Sequence, residues 1–493
     1  MKTPLQTLRH VFGYPAFRGE QGKIIRQLMG GGNALVLMPT GGGKSLCYQI
    51  PAILRQGVGV VISPLVALMQ DQVDALKKLG VRAAFLNSTL SKQLILETEQ
   101  LVMHRGLDLL YVSPERALNV SFASILDELH QKGDLALFAI DEAHCISQWG
   151  HDFRKDYLRL AELPERYPDV PRIALTATAD DKTRQEITSK LRLDDAPAFI
   201  SSFDRPNISY SVVVRQDGRR QLLRFLGGHQ HETGIVYCLT RDEVEQITLW
   251  LCRQGINALP YHAGLSPSER VKNQNTFLRK KGIVMVATNA FGMGIDKPDV
   301  RFVAHLGIPK SVEAYYQETG RAGRDGLPAE AWMCYGLNDA MVHRQRIDDS
   351  ECNPRRKRVE GMKLDAMVNW CQTAGCRRVQ ILEYFGEKSS ACGNCDNCLV
   401  PSAPVVEQEF QFNGSPTANQ VIAANEPRLE MLHTWRRDIA RATQVPPFYV
   451  LSNRTLYLLS VSCISTATEL SLVSGVGKVK AKKYGRTLLP LLK

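Results

Sequence analysis

Met38-Pro39-Thr40-Gly41-Gly42-Gly43-Lys44-Ser45 is the stretch on which the fold turns. Before it the apolar run Ala34–Met38 reads as a strand, and from Lys44 onward the text is helix-compatible. A glycine turn between strand and helix brings backbone N–H groups close to a phosphate, and the helix N-terminus adds positive potential. Lys44 suits the β- and γ-phosphates of a nucleotide, and the Ser45 hydroxyl suits Mg²⁺. With Thr40, Gly41, Gly42 and Gly43 they form a candidate phosphate cradle. Met38 stands where the strict phosphate-loop pattern has its first glycine, so the loop is a variant of it.

Outward from this loop, short apolar runs alternate with helical text at Val58–Ile62, Leu107–Val112, Leu135–Ile140 and Ile173–Leu175. The pattern resumes at Gly234–Cys238, Ile256–Tyr261, Ile283–Ala287, Val300–Leu306 and Ala331–Tyr335. Continuous apolar strands separated by helices imply parallel sheets covered on both faces. The expected fold class is α/β, with two such domains in tandem and a seam near Ser201–Asn207. From about Asp339 the strand signal stops. Helical text carrying the basic run Arg355-Arg356-Lys357-Arg358 then leads into a cysteine cluster. Pro401 to about Glu426 reads as a linker and Leu429–Lys493 as a small all-α bundle. The expected parts are 1–205, 206–340, 341–400, 401–426 and 427–493.

Composition agrees with a multidomain globular protein: 493 residues, 44% hydrophobic and 23% charged. That excludes a largely disordered chain and suggests three or four cores. Lys plus Arg number 61 against 50 acids, a net charge of +11, which favours a polyanionic partner. No apolar run reaches the roughly 18 residues of a membrane span, and the start lacks an apolar signal core. The sequence therefore predicts a cytoplasmic protein with no membrane partner. Of 12 cysteines, five fall between Cys371 and Cys398, which reads as a local metal site.

Three constellations carry chemistry. Leu135–Ile140 delivers Asp141 and Glu142 to the C-terminal end of a strand, where such sheets bind ligands. Asp141 suits Mg²⁺, and Glu142 suits orienting or deprotonating a water. In the second α/β unit, Arg321 and Arg324 stand three apart and are expected on one helix face, able to reach phosphate across a cleft. Cys392, Cys395 and Cys398 lie at intervals of three, with Cys376 or Cys371 as a fourth ligand. Four thiolates with no open position make a structural Zn²⁺ site rather than a catalytic one.

Taken together these residues resemble the RecQ family of DNA helicases, from about Phe12 to Cys398. The motifs occur in order: Phe17-Arg18 with Gln21, the phosphate loop, Ser63-Pro64-Leu65, Asp141–His144, Thr176-Ala177-Thr178, Thr288–Asp296 and Gln317–Asp325. The most specific block is Ser147-Gln148-Trp149-Gly150-His151-Asp152-Phe153-Arg154. In that family this aromatic loop couples single-stranded DNA binding to ATP hydrolysis, which assigns Ser147, Gln148, Trp149, His151, Phe153 and Arg154 to coupling. Trp149 and Phe153 offer faces for base stacking. The resemblance further implies that Tyr14, Arg18 and Gln21 contact adenine, that Arg324 is an arginine finger and that Cys376 is the fourth zinc ligand. Two departures from the family pattern occur, Gly19-Glu20 for Pro-Gly and Lys155 for Pro.

The implied activity is ATP-dependent 3′-to-5′ DNA unwinding in repair or recombination, with ATP, Mg²⁺ and Zn²⁺ as cofactors. The implied partners are single-stranded DNA, duplex junctions and repair or single-strand-binding proteins, and a bacterial member would be associated with the nucleoid. Leu429–Lys493 resembles the helicase-and-RNase-D C-terminal (HRDC) domain, with Lys478, Lys480, Lys482 and Lys483 as candidate phosphate contacts. About thirty residues separate Cys398 from that bundle, too few for the winged helix most of the family carries. Efficient unwinding is therefore weighed against a role mainly in DNA binding or strand annealing.

Overall fold

The computed structural model describes residues 3–39, 41–64, 66–87, 90–147, 154–292, 297–399 and 418–443, and from there 450–451, 455–456, 459–460, 464, 466–473 and 476–492. The first sheet has seven strands: β1 (Ala34–Leu37), β2 (Val58–Ile62), β3 (Ala83–Leu86), β4 (Leu109–Val112), β5 (Leu135–Ile140), β6 (Arg172–Thr176) and β7 (Ala198–Ile200). They lie in the order β3-β4-β2-β5-β6-β1-β7. The second has six: β8 (Ile208–Val214), β9 (Thr233–Tyr237), β10 (Ala258–Tyr261), β11 (Val284–Ala287), β12 (Val300–His305) and β13 (Ala329–Tyr335). Their order is β10-β11-β9-β12-β13-β8. Every pairing in both sheets is parallel.

Successive residues of a central strand feed opposite cores, which is why these strands read as unbroken apolar runs. Leu35 and Leu37 pack into one cluster, Ala34 and Val36 into another. In the second sheet Ile235 and Tyr237 face one side, Val236 the other. One cluster runs from the first sheet through the second and into the helices that follow, ending at Cys395. Those helices are Pro354–Cys371 and Arg377–Tyr384. A buried ion pair between Lys363 and Glu313 ties the first of them to the helix Val312–Thr319.

Three strands, β3, β7 and β8, are not among the ten apolar runs read from the sequence. All three are edge strands. An edge strand needs no continuous apolar text, and β8 alternates accordingly, with Ile208 and Tyr210 buried and Ser209 and Ser211 half-buried. The stretch 201–207 between the two sheets contains no helix or strand, as the expected seam requires. The expected linker needs one correction. A helix spans Ala418–Ala442, so its last part is helical and the bundle's first helix starts earlier than Leu429. Alanines at 418, 423 and 424 favour that continuation, because alanine loses little entropy in a helix.

Gly234 in β9 pairs with Phe302 of β12, and a Cβ at Gly234 would stand 2.1 Å from the Phe302 ring. Phe302 is fully buried and cannot swing into solvent. Gly234→Ala is therefore expected to destabilise the second sheet by about 1–3 kcal/mol through overpacking. Chemical denaturation followed by circular dichroism checks this. An unchanged midpoint would show that the ring relocates freely.

Candidate nucleotide site and cysteine centre

The phosphate loop leaves the end of β1 and enters the helix Lys44–Leu54. Gly41 and Gly43 hold left-handed φ values of +83° and +76°, a conformation that disfavours any side chain. At Gly43 there is no room either, since a Cβ would lie 2.4 Å from Gln21 Nε2. Gln21 is buried and donates to the carbonyls of Gly42 and Gly43 at 3.3 and 3.2 Å, while its Oε1 accepts from Arg18 N. Its amide thus braces the loop, and the Tyr14 and Arg18 side chains are exposed. Lys44 Nζ donates to Met38 O at 3.0 Å and Pro39 O at 3.4 Å, so the ammonium is folded back onto its own loop. Burial lowers its pKa, opposed by the charges of Glu142 and Asp141. Thr40 lies outside the described residues.

Asp141 and Glu142 follow directly on β5, with Glu142 at φ +47°. The Tyr157 hydroxyl donates to Asp141 O at 2.9 Å and holds the turn. Burial, and then the neighbouring Glu142 charge, push the Asp141 pKa up to about 7. Glu142 moves the other way: burial alone would raise its pKa, but His144, Lys44 and Arg321 outweigh burial and lower it. His144 Nδ1 lies 3.3 Å from Glu142 Oε2 and 2.8 Å from Thr176 Oγ1. The two acids are thus electrically unequal, with Glu142 the one held as a carboxylate.

Arg321 and Arg324 are not on a helix. The helix Val312–Thr319 ends at Gly320, and both arginines lie in the turn that follows, where Gly323 has φ +57°. They still reach the cleft. Arg324 packs its aliphatic stem over Gly41 of the phosphate loop, the nearest approach to a built Cβ being 3.5 Å. Arg321 is buried and contributes to keeping Glu142 ionised. Gln317, on the same helix, donates to Thr178 Oγ1 at 3.0 Å and bridges the two sheets. Thr178 N in turn donates to Thr176 Oγ1, so a hydrogen-bonded path runs from Gln317 to His144.

Of the aromatic loop, Gln148, Trp149, His151 and Phe153 lie outside the described residues. Its two ends are anchored to the protein. Ser147 is buried and donates to Glu186 Oε2 at 2.6 Å, while Arg154 Nη1 donates to Pro64 O at 3.0 Å. In the terminal bundle Lys482 and Lys483 are exposed and Lys480 is half-buried, its pKa lowered by that burial. The Lys478 side chain lies outside the described residues.

Cys376, Cys392, Cys395 and Cys398 bring their four Sγ atoms within 4.8 Å of one another. Two Sγ–Sγ separations are 3.9 Å. A tetrahedron with Zn–S bonds of about 2.3 Å has edges of about 3.8 Å, so the four thiols fit that ion. Backbone N–H groups of Arg377, Cys392 and Asn394 point at the sulfurs, from 3.3 to 3.4 Å, and favour thiolates. Burial works against ionising them: at Cys376 such N–H groups prevail and bring its pKa down to about 7, whereas at Cys392 and Cys395 burial prevails and raises it. Cys371 is excluded: its thiol is buried against Met333 Sδ at 3.5 Å.

Family models match in the same order as these sites: DEAD/DEAH box helicase over residues 18–187, helicase conserved C-terminal domain over 218–326, RecQ zinc-binding over 337–399 and HRDC domain over 425–492. The ATP-dependent DNA helicase RecQ of Bacillus subtilis is 45% identical over 98% of the chain and 97% of its own length. The chain belongs to the RecQ family. The RecQ helicase of Pasteurella multocida is 47% identical over 86% of the chain, which spans 65% of that relative's length. The Bacillus comparison extends over 578 positions, more than the 493 residues present here, so that relative contains residues with no counterpart in this chain. Among solved structures, the DEAD-box helicase Mss116 bound to single-stranded RNA and UDP-BeF shares the fold, at TM-score 0.59 and 12% identity over 94% of this chain and 89% of that one.

Two expectations follow. Metal analysis should find one Zn²⁺ per chain. Cys376→Ser should lose it and melt the module, since such ions contribute about 10–16 kcal/mol in small zinc peptides, whereas Cys371→Ser should retain it. The opposite pattern would reassign the ligands. As a Mg²⁺ ligand Asp141 would have to shed its proton, and with a pKa of about 7 the proton would compete below that pH. Corrected for titration of the nucleotide, the Mg²⁺ needed for half-maximal turnover should rise about tenfold per unit below neutrality and be flat above it. A flat profile throughout would leave Asp141 no role as a ligand.

Proposed function

We propose that the chain is an ATP-dependent DNA helicase, coupling ATP hydrolysis to 3′-to-5′ movement on single-stranded DNA and to strand separation at junctions in repair or recombination. The observation that carries this reading is the meeting of Lys44, Asp141 and Glu142 from one sheet with Arg321 and Arg324 from the other, around a variant phosphate loop. The polarity and the DNA substrate come from the family resemblance. The names of the Bacillus and Pasteurella relatives support the activity.

ATP with Mg²⁺ supplies the transferable phosphoryl group and its counter-ion. Lys44 would exchange the Met38 and Pro39 carbonyls for phosphate oxygens, and Ser45 and Asp141 would hold the metal. Glu142, the acid already ionised, orients the attacking water and accepts its proton. Arg324, from across the cleft, meets the charge that develops on the transferred group, with Arg321 sustaining the Glu142 carboxylate. Because the arginines belong to the second sheet, the site is complete only when the two sheets close. Release after hydrolysis reopens it, and the cycle steps the protein along a strand. Trp149 and Phe153, which follow the acids in sequence, stack bases, and Ser147 and Arg154 fasten the ends of that loop to the first domain.

The four cysteines would hold a structural Zn²⁺, and the lysines of the HRDC match would add sequence-independent phosphate contacts. A second reading, a DNA-stimulated ATPase acting mainly in DNA binding or strand annealing with weak unwinding, is favoured by one observation. Residues 400–424 alone separate the zinc-binding and HRDC matches. That leaves no space for a winged helix to grip duplex DNA.

Lys44→Ala should lower DNA-stimulated ATP hydrolysis at least a hundredfold, as should Glu142→Gln, with only the latter keeping normal nucleotide affinity. Strand displacement measured on forked duplexes, beside annealing of complementary strands, separates the two readings. Near-normal turnover in either folded variant would overturn the site, and hydrolysis with annealing but no displacement would select the second reading.

A further inference from the structure

The turn that carries the two arginines is held by the seam between the sheets. Arg205 Nη1 donates to Gly320 O at 3.2 Å, and its Nη2 donates to Ala322 O at 2.9 Å and Gly323 O at 3.1 Å. Asn207 Nδ2 donates to Gly323 O at 2.8 Å and Leu327 O at 2.9 Å. The contact is close: a Cβ on Gly323 would stand 2.3 Å from Asn207 Nδ2. These two side chains therefore grip the backbone on both sides of Arg321 and immediately before Arg324. Each acts on the turn through its backbone carbonyls.

The seam is pinned in turn by the cysteine module. Arg378 Nη2 donates to Ile208 O at 2.7 Å and Pro206 O at 3.2 Å, and Asn394 Nδ2 donates to Pro206 O at 3.2 Å. Glu387 accepts from Ser202 Oγ at 2.6 Å and from Phe203 N at 2.7 Å. Asn394 sits between two of the clustered cysteines, and Arg378 lies two residues after another. A continuous series of hydrogen bonds thus joins the cysteine centre to the seam, and the seam to the arginine turn.

We propose that Arg205 and Asn207 are positioning residues for phosphoryl transfer, fixing the turn that carries Arg324 into the cleft, with the cysteine module as their anchor. The inference rests on the reading of Arg324 as the group that meets the transferred phosphoryl. An arginine in that role contributes about 10³–10⁵ in rate, and misplacing a catalytic group by about 1 Å forfeits about 10². Ground-state nucleotide does not need the turn in register, whereas the transition state does.

The test uses the full, zinc-loaded chain and its DNA-stimulated ATPase. Arg205→Lys keeps the charge but lacks the planar fork that spans three carbonyls, and Asn207→Ala removes the second clasp. Both should lower kcat about ten- to a hundredfold, with KM for ATP and affinity for ADP within about twofold of the parent. Affinity for ADP–aluminium fluoride should fall in step with kcat, and zinc content should stay at one per chain. The double variant Arg205→Lys/Arg324→Ala should be no slower than Arg324→Ala alone. An unchanged kcat, a parallel loss of ADP affinity, or additive losses in the double variant would overturn the proposal. Slow Arg324→Ala beside normal Arg205→Lys and Asn207→Ala overturns it alone; full turnover in Arg324→Ala overturns the finger reading as well.

Discussion

Two carboxylates side by side in a half-buried turn cannot both carry charge without cations around them, and that constraint organises the cleft. Asp141 responds by holding its proton to about neutral pH, and Glu142 ionises because His144, Lys44 and Arg321 surround it. Two of these partners are furnished by the first sheet, Lys44 by the phosphate loop and His144 by the turn after β5. The third belongs to the second sheet. The electrostatics of one acid are therefore a statement about the position of two domains.

That dependence gives the seam its importance. The helix ahead of the arginines stops at Thr319, and the turn after it is held by its own backbone bonds, Arg321 N to Glu318 O and Ala322 N to Thr319 O, together with side chains from other segments. Arg205 and Asn207 provide them, and Arg378, Glu387 and Asn394 hold the seam residues from the far side. The edge strand β8 is covered by the same module, since Val212 N donates to Asp396 Oδ2 at 2.9 Å. A row of open backbone donors on an edge strand invites stray pairing, and the module closes part of it. The cysteine centre thus serves the sheet edge, the seam and the arginine turn through one small packed unit.

Much of this was legible in the text because it depends on local pattern. The central strands show as apolar runs since both faces are buried. Asp141 and Glu142 are exposed to inference because a strand ends just before them, and the cysteines because their spacing converges on one point. Edge strands β3, β7 and β8 were not legible, being short or alternating. The pairing of Arg321 with Arg324 was legible as a motif but not as a turn: three-residue spacing suggests a helix unless Gly320 and Gly323 are weighed as breakers.

The sequence by itself determined the alternation of strand and helix, the phosphate loop, the acid pair and the three clustered thiols, because each is encoded within a few residues. Spacing left Cys376 and Cys371 both open and the family resemblance pointed to Cys376; tertiary structure bears out that choice, since only Cys376 faces the other sulfurs. Tertiary structure alone decided that Gln21 braces the glycine loop and that Gln317 bridges to Thr178. The roles of Arg205 and Asn207 belong to the same class. Their partners lie more than a hundred residues away, and no periodicity along a chain records which carbonyl a distant side chain will meet.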